Sequence, residues 1–158
     1  KYLTDIANSL SINMCTGVGV YPENHFHSQN FDKEIDLLKK KIDSGAKYAV
    51  TQMFFDNKKF FDFVEMCRNK GINIPIIPGI KILDKPKQID NLEKIFHISI
   101  PSELKNEAKE NINFIEDVGT RWAIKQSEEL INAGVPIIHY YLMNDTSCMI
   151  NILNYLHK

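Results

Sequence analysis

Two runs of this 158-residue chain end in side chains suited to binding rather than packing: Tyr21-Pro22-Glu23-Asn24-His25 and Thr51-Gln52-Met53-Phe54-Phe55-Asp56. The Tyr21 ring can lie against a planar ligand, and the His25 imidazole can donate to a phosphate or ribose oxygen. The same two residue types also serve simply to fill a loop. Gln52 interrupts an apolar run of Ala49, Val50, Met53, Phe54 and Phe55. An unpaired buried amide costs roughly 1 to 3 kcal/mol, so Gln52 either bonds to neighbouring backbone or faces a polar ligand. Its joined donor and acceptor suit a heterocycle that shows an acceptor beside a donor, as a pterin does. Between the two runs stand Lys39, Lys40 and Lys41. Two of them can reach a diphosphate as point charges, or the three form a solvated helix face with Asp36 and Lys40 paired four residues apart.

Other constellations compete. His25 and His27 near a strand end fit the metal site of a barrel hydrolase, with His97, His139 and Asp145 as further candidate ligands. Lys81, directly after Pro78-Gly79-Ile80, has the position of a Schiff-base lysine, although nothing nearby in sequence lowers its pKa. Cys148 falls on the apolar side of a helix, which reads as core. Gly17-x-Gly19 lacks a third glycine and lies within a strand, so no phosphate-binding glycine fingerprint is present.

The elements that must position these groups alternate. The residue pattern predicts strands at 17–21, 48–54, 74–80 and 135–142, and helices at 2–10, 31–43, 58–70, 87–95, 101–109, 112–132 and 146–156. Gly45, Gly71 and Gly134 each follow a helix and precede a strand, where a left-handed stop is needed. Such alternation means a parallel α/β sheet with right-handed crossovers, whose functional groups gather where strands end. Four βα units are half of an eight-stranded barrel, and half a barrel leaves open edges and one uncovered face. Either an N-terminal half is absent from this sequence, or two copies pair, or the sheet is open and doubly wound. The chain starts at Lys1 inside a helix-like phrase, which favours the first.

With 44% hydrophobic and 25% charged residues, no linker and no low-complexity segment, residues 1–158 read as one domain. The net charge of −1, with lysines scattered among acids, carries no electrostatic footprint for nucleic acid. No run reaches the length of a membrane span and no secretory leader opens the chain. Cys15, Cys67 and Cys148 are odd in number and far apart, which argues against a disulfide framework and fits a cytoplasmic protein.

Five phrases, in order, carry a resemblance: Val20-Tyr21-Pro22-Glu23-Asn24-His25, Leu37-Leu38-Lys39-Lys40-Lys41-Ile42-Asp43-Ser44-Gly45-Ala46, Val50-Thr51-Gln52-Met53-Phe54-Phe55-Asp56, Ile76-Ile77-Pro78-Gly79-Ile80 and Gly134-Val135-Pro136-Ile137-Ile138-His139-Tyr140-Tyr141. Together they resemble the methylenetetrahydrofolate reductase family, over the C-terminal half of its (β/α)8 TIM barrel. The resemblance implies a flavoprotein that takes hydride from NADH or NADPH onto FAD and passes it to 5,10-methylenetetrahydrofolate. The product is 5-methyltetrahydrofolate for methionine synthesis, and the complete protein is expected to be a homo-oligomer.

By position, the resemblance assigns FAD contacts to Tyr21, His25, Glu34, Lys40 and Lys41, with Lys41 the more constant phosphate contact. It assigns folate contacts to Gln52 and Gln88, Gln52 touching folate and nicotinamide in turn, and an apolar cover to Leu92. Asp145 stands where many relatives have an arginine for the acidic tail of folate. No catalytic group of the family falls in this segment. Its general-acid Glu and the Asp beside the flavin pyrimidine belong to N-terminal strands, so the segment alone is expected to be inactive, a binding half that needs a partner half.

Overall fold

A computed structural model describes residues 2–23, 31–142 and 146–157. Its strands are β1 (Thr16–Val20), β2 (Ala46–Phe54), β3 (Ile76–Ile80) and β4 (His139–Tyr140). All pair in parallel, in the order β1-β2-β3-β4, and curl into half a (β/α)8 barrel. A doubly wound sheet requires the strand order to reverse at one point. This order runs one way throughout, so the doubly wound alternative does not hold.

The helices are α1 (Tyr2–Ser9), α2 (Phe31–Asp43), α3 (Asn57–Asn69), α4 (Gln88–Phe96), α5 (Ser102–Glu110), α6 (Ile115–Asn132) and α7 (Ser147–Leu156). On α2, Ile35 and Leu38 face the sheet and are buried, as the steps of four, three and four residues along Phe31, Ile35, Leu38 and Ile42 require. Asp56 caps α3 by accepting from the Lys58 N–H at 2.9 Å. The expected left-handed stops occur at Gly45 (φ 106°), Gly71 (φ 79°) and Gly134 (φ 82°). A fourth stop was not expected: His97 ends α4 at φ 52°.

Strand alternation divides the sheet into two faces. Val20, Ala49, Phe54, Ile76 and Ile80 pack against α2, α3, α6 and α7 through Leu38, Phe60, Phe63, Leu130 and Ile152. A second core of Met53, Phe55, Leu83, Leu92, Ile98, Leu104 and Val118 lies between α4, α5 and the first half of α6. On the opposite, inward face Gly17, Gly19 and Ile137 are exposed, and Val50 and Ile77 are half-buried.

Three elements are clearly shorter than their sequence pattern, the third strand starting at Ile76 rather than at 74. The fourth strand pairs only at Gly79↔His139 and Ile80↔Tyr140 rather than over 135–142. Pro136 has no N–H for a ladder, and the short β3 offers little more to pair with. The single helix expected over 112–132 begins as a 3-10 turn (Ile112–Phe114) before α6 proper.

Cys67 is completely buried on α3, and burial pushes its thiol up from 9.0 to about 11, with nearby Arg68 opposing the shift. An unfolded chain releases this proton near pH 9 while the folded chain keeps it. The contribution is therefore fully present below pH 9 and lost as pH rises to about 11. The urea midpoint is expected to fall across that window, and Cys67→Ala to make the fall shallower.

Candidate functional site

Register brings the sequence candidates together. Val20 lies opposite Thr51, so Tyr21 and Gln52, each one step further, stand abreast at the C-terminal ends of β1 and β2. Between Val50↔Ile77 and Met53↔Gly79, two residues of β2 face one of β3. Pro78 is that one residue and has no N–H to give, so Thr51 and Gln52 form a bulge against it.

The bulge is held by side chains. Thr51 Oγ1 accepts from the Gly79 N–H at 2.8 Å, and Gln52 Oε1 accepts from the Met53 N–H at 2.9 Å. The backbone reading of Gln52 thus holds for the oxygen of its amide. Its oxygen is bound by neighbouring backbone, and its NH2 makes no hydrogen bond among the described residues. Tyr141 closes the floor: its hydroxyl donates to the Thr51 carbonyl at 2.9 Å, and the His139 ring stands edge-on to it at 4.6 Å. Gly79 is required there, because a Cβ would fall 2.5 Å from Thr51 O and 2.6 Å from Tyr141 Cε2. Burial, and then the nearness of Tyr21, raise the pKa of the Tyr141 phenol above 10.0, so it remains a donor at neutral pH.

Lys41 reaches this region from α2, donating to the Gly19 carbonyl at 2.8 Å. Gly19 itself is exposed, and a Cβ there would meet nothing within 4 Å. Lys40 is exposed; no ion pair joins it to Asp36 among the described residues. Glu34 is half-buried in the first turn of α2. His25, His27 and Asp145 lie outside the described residues.

Gln88 opens α4 and bonds within the turn before it. Its Oε1 accepts from the Asp84 and Lys85 N–H groups at 2.9 and 3.2 Å, and its Nε2 donates to Asp84 Oδ1. Both ends of the amide hold the loop that follows β3, and the second hydrogen of the NH2 makes no hydrogen bond among the described residues. Leu92 is 7% exposed and packs in the second core. Lys81 is buried, with Asp84 3.7 Å from its ammonium. Cys148 is in the first core, as its helix side indicates.

Among the described residues no three metal-capable side chains gather. His97 is a helix stop and His139 lies against Tyr141. Sequence reasoning missed Glu23, whose side chain is 8% exposed beside Lys59, and missed Thr51 and Tyr141 as the frame around Gln52. The Pro78-Gly79 pair was the one available signal for that frame.

A parallel half-barrel with Tyr21 and Gln52 at neighbouring strand ends, and the Lys41 ammonium beside them from α2, defines an α/β-barrel protein. The family model "Methylenetetrahydrofolate reductase" matches residues 1–157, and the chain belongs to that family. It is 33% identical over 138 residues to "5,10-methylenetetrahydrofolate reductase" of Buchnera aphidicola subsp. Schizaphis graminum, covering 85% of this chain and 47% of the relative. It is 32% identical over 128 residues to "Methylenetetrahydrofolate reductase (NADH) 1" of Arabidopsis thaliana, covering 79% and 22%. The chain therefore spans about half of the first and about a fifth of the second. A solved structure from Clostridium thermocellum, described as binding two copies of 5-methyl-5,6,7,8-tetrahydrofolic acid, matches with TM-score 0.57 and 21% identity. That match covers 91% of this chain and 54% of the other, and supports the fold. Among the described residues no helix is long and apolar enough to cross a membrane.

Proposed function

We propose that this chain is the C-terminal half of the barrel of an FAD-dependent methylenetetrahydrofolate reductase, acting in the cytosol. It would work with an N-terminal half to move hydride from NADH or NADPH to 5,10-methylenetetrahydrofolate. The observation that carries the reading is the Val20↔Thr51 register, which sets Tyr21 and Gln52 at one mouth. Family membership and the reductase names of the relatives support the same reaction.

The residues present fit a flavin. Gly19 leaves open ground beside Tyr21, the Gln52 NH2 is uncommitted among the described residues, and Lys41 places an ammonium at the edge of β1. When bound, FAD would carry the hydride between nicotinamide and folate. In this reading Tyr21 offers a ring face, and Lys41, with Lys40 behind it, balances phosphate charge. His25 and Glu34 would contact the rest of the dinucleotide. Gln52 donates to an acceptor on whichever partner occupies the flavin face, which suits alternating occupancy and ping-pong kinetics. Tyr141 and Thr51 keep that donor in place. Gln88 would meet folate through the remaining hydrogen of its NH2. None of these groups supplies the general acid, so the segment grips and orients but does not turn over alone.

Lys41→Ala in the complete enzyme is expected to weaken FAD binding about tenfold, the scale of one charge-assisted hydrogen bond. Titration with FAD checks it. Unchanged affinity would restrict Lys41 to its bond with the Gly19 carbonyl.

A further inference from the structure

Glu23, two residues beyond Tyr21, carries a carboxylate that the flavin reading does not use. Its side chain is 8% exposed. Three donors converge on Oε2: the Lys59 ammonium, the Ser99 N–H at 3.0 Å and the Ser99 hydroxyl at 2.7 Å. The Lys59 ammonium also donates to Ser99 Oγ. The other oxygen, Oε1, is buried with no hydrogen-bond partner among the described residues.

These partners come from separate parts of the chain. Lys59 is in the first turn of α3, which follows β2, and Ser99 lies between α4 and α5, in the connection that follows β3. One carboxylate thus ties the segments after three successive strands, bridging 36 and 76 residues of sequence. Burying a charge is unfavourable unless it is paired, and an apolar contact could hold the segments together without that penalty. What the convergence on one atom adds is orientation, since the segment after β1 has a single seat in which all three donors are satisfied.

We propose that Glu23 is a positioning residue that fastens the segment carrying Tyr21 to α3 and to the chain before α5, and so holds Tyr21 beside Gln52 for the flavin. The ligand part of this proposal rests on the flavin reading above. The test uses the complete polypeptide with Glu23→Gln, Lys59→Met, the double variant and Lys59→Arg. Hydrogen exchange at the amides of Tyr21, Glu23 and Ser99 is measured without flavin, and FAD affinity is measured by titration. Each of the first two variants should speed exchange at those amides and weaken FAD by about tenfold, a fraction of what breaking a buried pair costs the fold. The double variant should add little, because both changes break one interaction, and Lys59→Arg should behave as wild type.

Wild-type exchange rates in Glu23→Gln and Lys59→Met would overturn the clamp. Faster exchange with unchanged FAD affinity would overturn the positioning role and leave a purely structural tie. A wild-type protein that takes up no FAD would overturn the flavin reading instead, and the clamp would then stand or fall on exchange alone.

Discussion

Gln52→Ala in the complete enzyme is expected to slow folate reduction by about a hundredfold while changing FAD retention by no more than about twofold. The first figure follows from removing an amide donor from an acceptor that has no water to replace it, roughly 1.5 to 3 kcal/mol when charge develops on the acceptor. The second follows because flavin grip is assigned to Tyr21, His25 and Lys41. Alanine also leaves the Met53 N–H without the acceptor it has at 2.9 Å, so some stability is lost as well. Gln52→Glu separates the two effects. A carboxylate oxygen can still accept from Met53, but the NH2 is gone, so stability should recover while turnover stays low. Stopped-flow reduction and reoxidation of the flavin, with a melting curve beside them, read both. Equal losses of turnover and flavin in Gln52→Ala would remove the role given to Gln52.

The second large effect concerns the fold. Gly119→Ala should destabilise the protein by about 3 kcal/mol or more, at the upper end of overpacking penalties. At this point α6 crosses the backbone of Leu83 so closely that a Cβ would lie 2.0 Å from the Leu83 carbonyl oxygen and 2.7 Å from its carbon. Backbone cannot turn aside as a side chain can. Leu83 and Val118 both belong to the second core, so a shift of α6 there would loosen α4 and α5 with it. Gly19→Ala is the contrast, because nothing lies within 4 Å of the added methyl. That variant should keep a near wild-type urea midpoint and yet weaken flavin binding, since the methyl would occupy the open ground beside Tyr21. A Gly119→Ala midpoint within error of wild type would show that α6 does not make this approach.

Local chemistry was legible in the sequence and distant chemistry was not. The stops at Gly45, Gly71 and Gly134 follow from residue type alone, since a chain leaving a helix for a strand needs a left-handed residue there. The placing of Tyr21 and Gln52 at neighbouring strand ends follows from alternation, because successive parallel strands run the same way. The length of the fourth strand did not follow. Pairing depends on what β3 offers, and Pro136 removes a donor that the apolar pattern of 135–142 conceals. Gln88 was read by motif as a ligand contact; the turn at 84–88 also takes up its carbonyl and one hydrogen of its NH2, a geometry that spacing does not reveal. His97, weighed as a metal ligand, instead adopts a positive φ, which histidine does only occasionally. Glu23 had no local signal, as its partners lie 36 and 76 residues away.

Hydride transfer to folate in this barrel requires Tyr21, Lys41 and Gln52 to line one flavin mouth. The most direct test is to mix the complete polypeptide, loaded with FAD and kept free of oxygen, with NADH or NADPH and follow the visible flavin absorbance. Bleaching is expected, with recovery on addition of 5,10-methylenetetrahydrofolate and release of 5-methyltetrahydrofolate. A protein that takes up no flavin, or whose bleached flavin does not recover its colour with the folate, would contradict it.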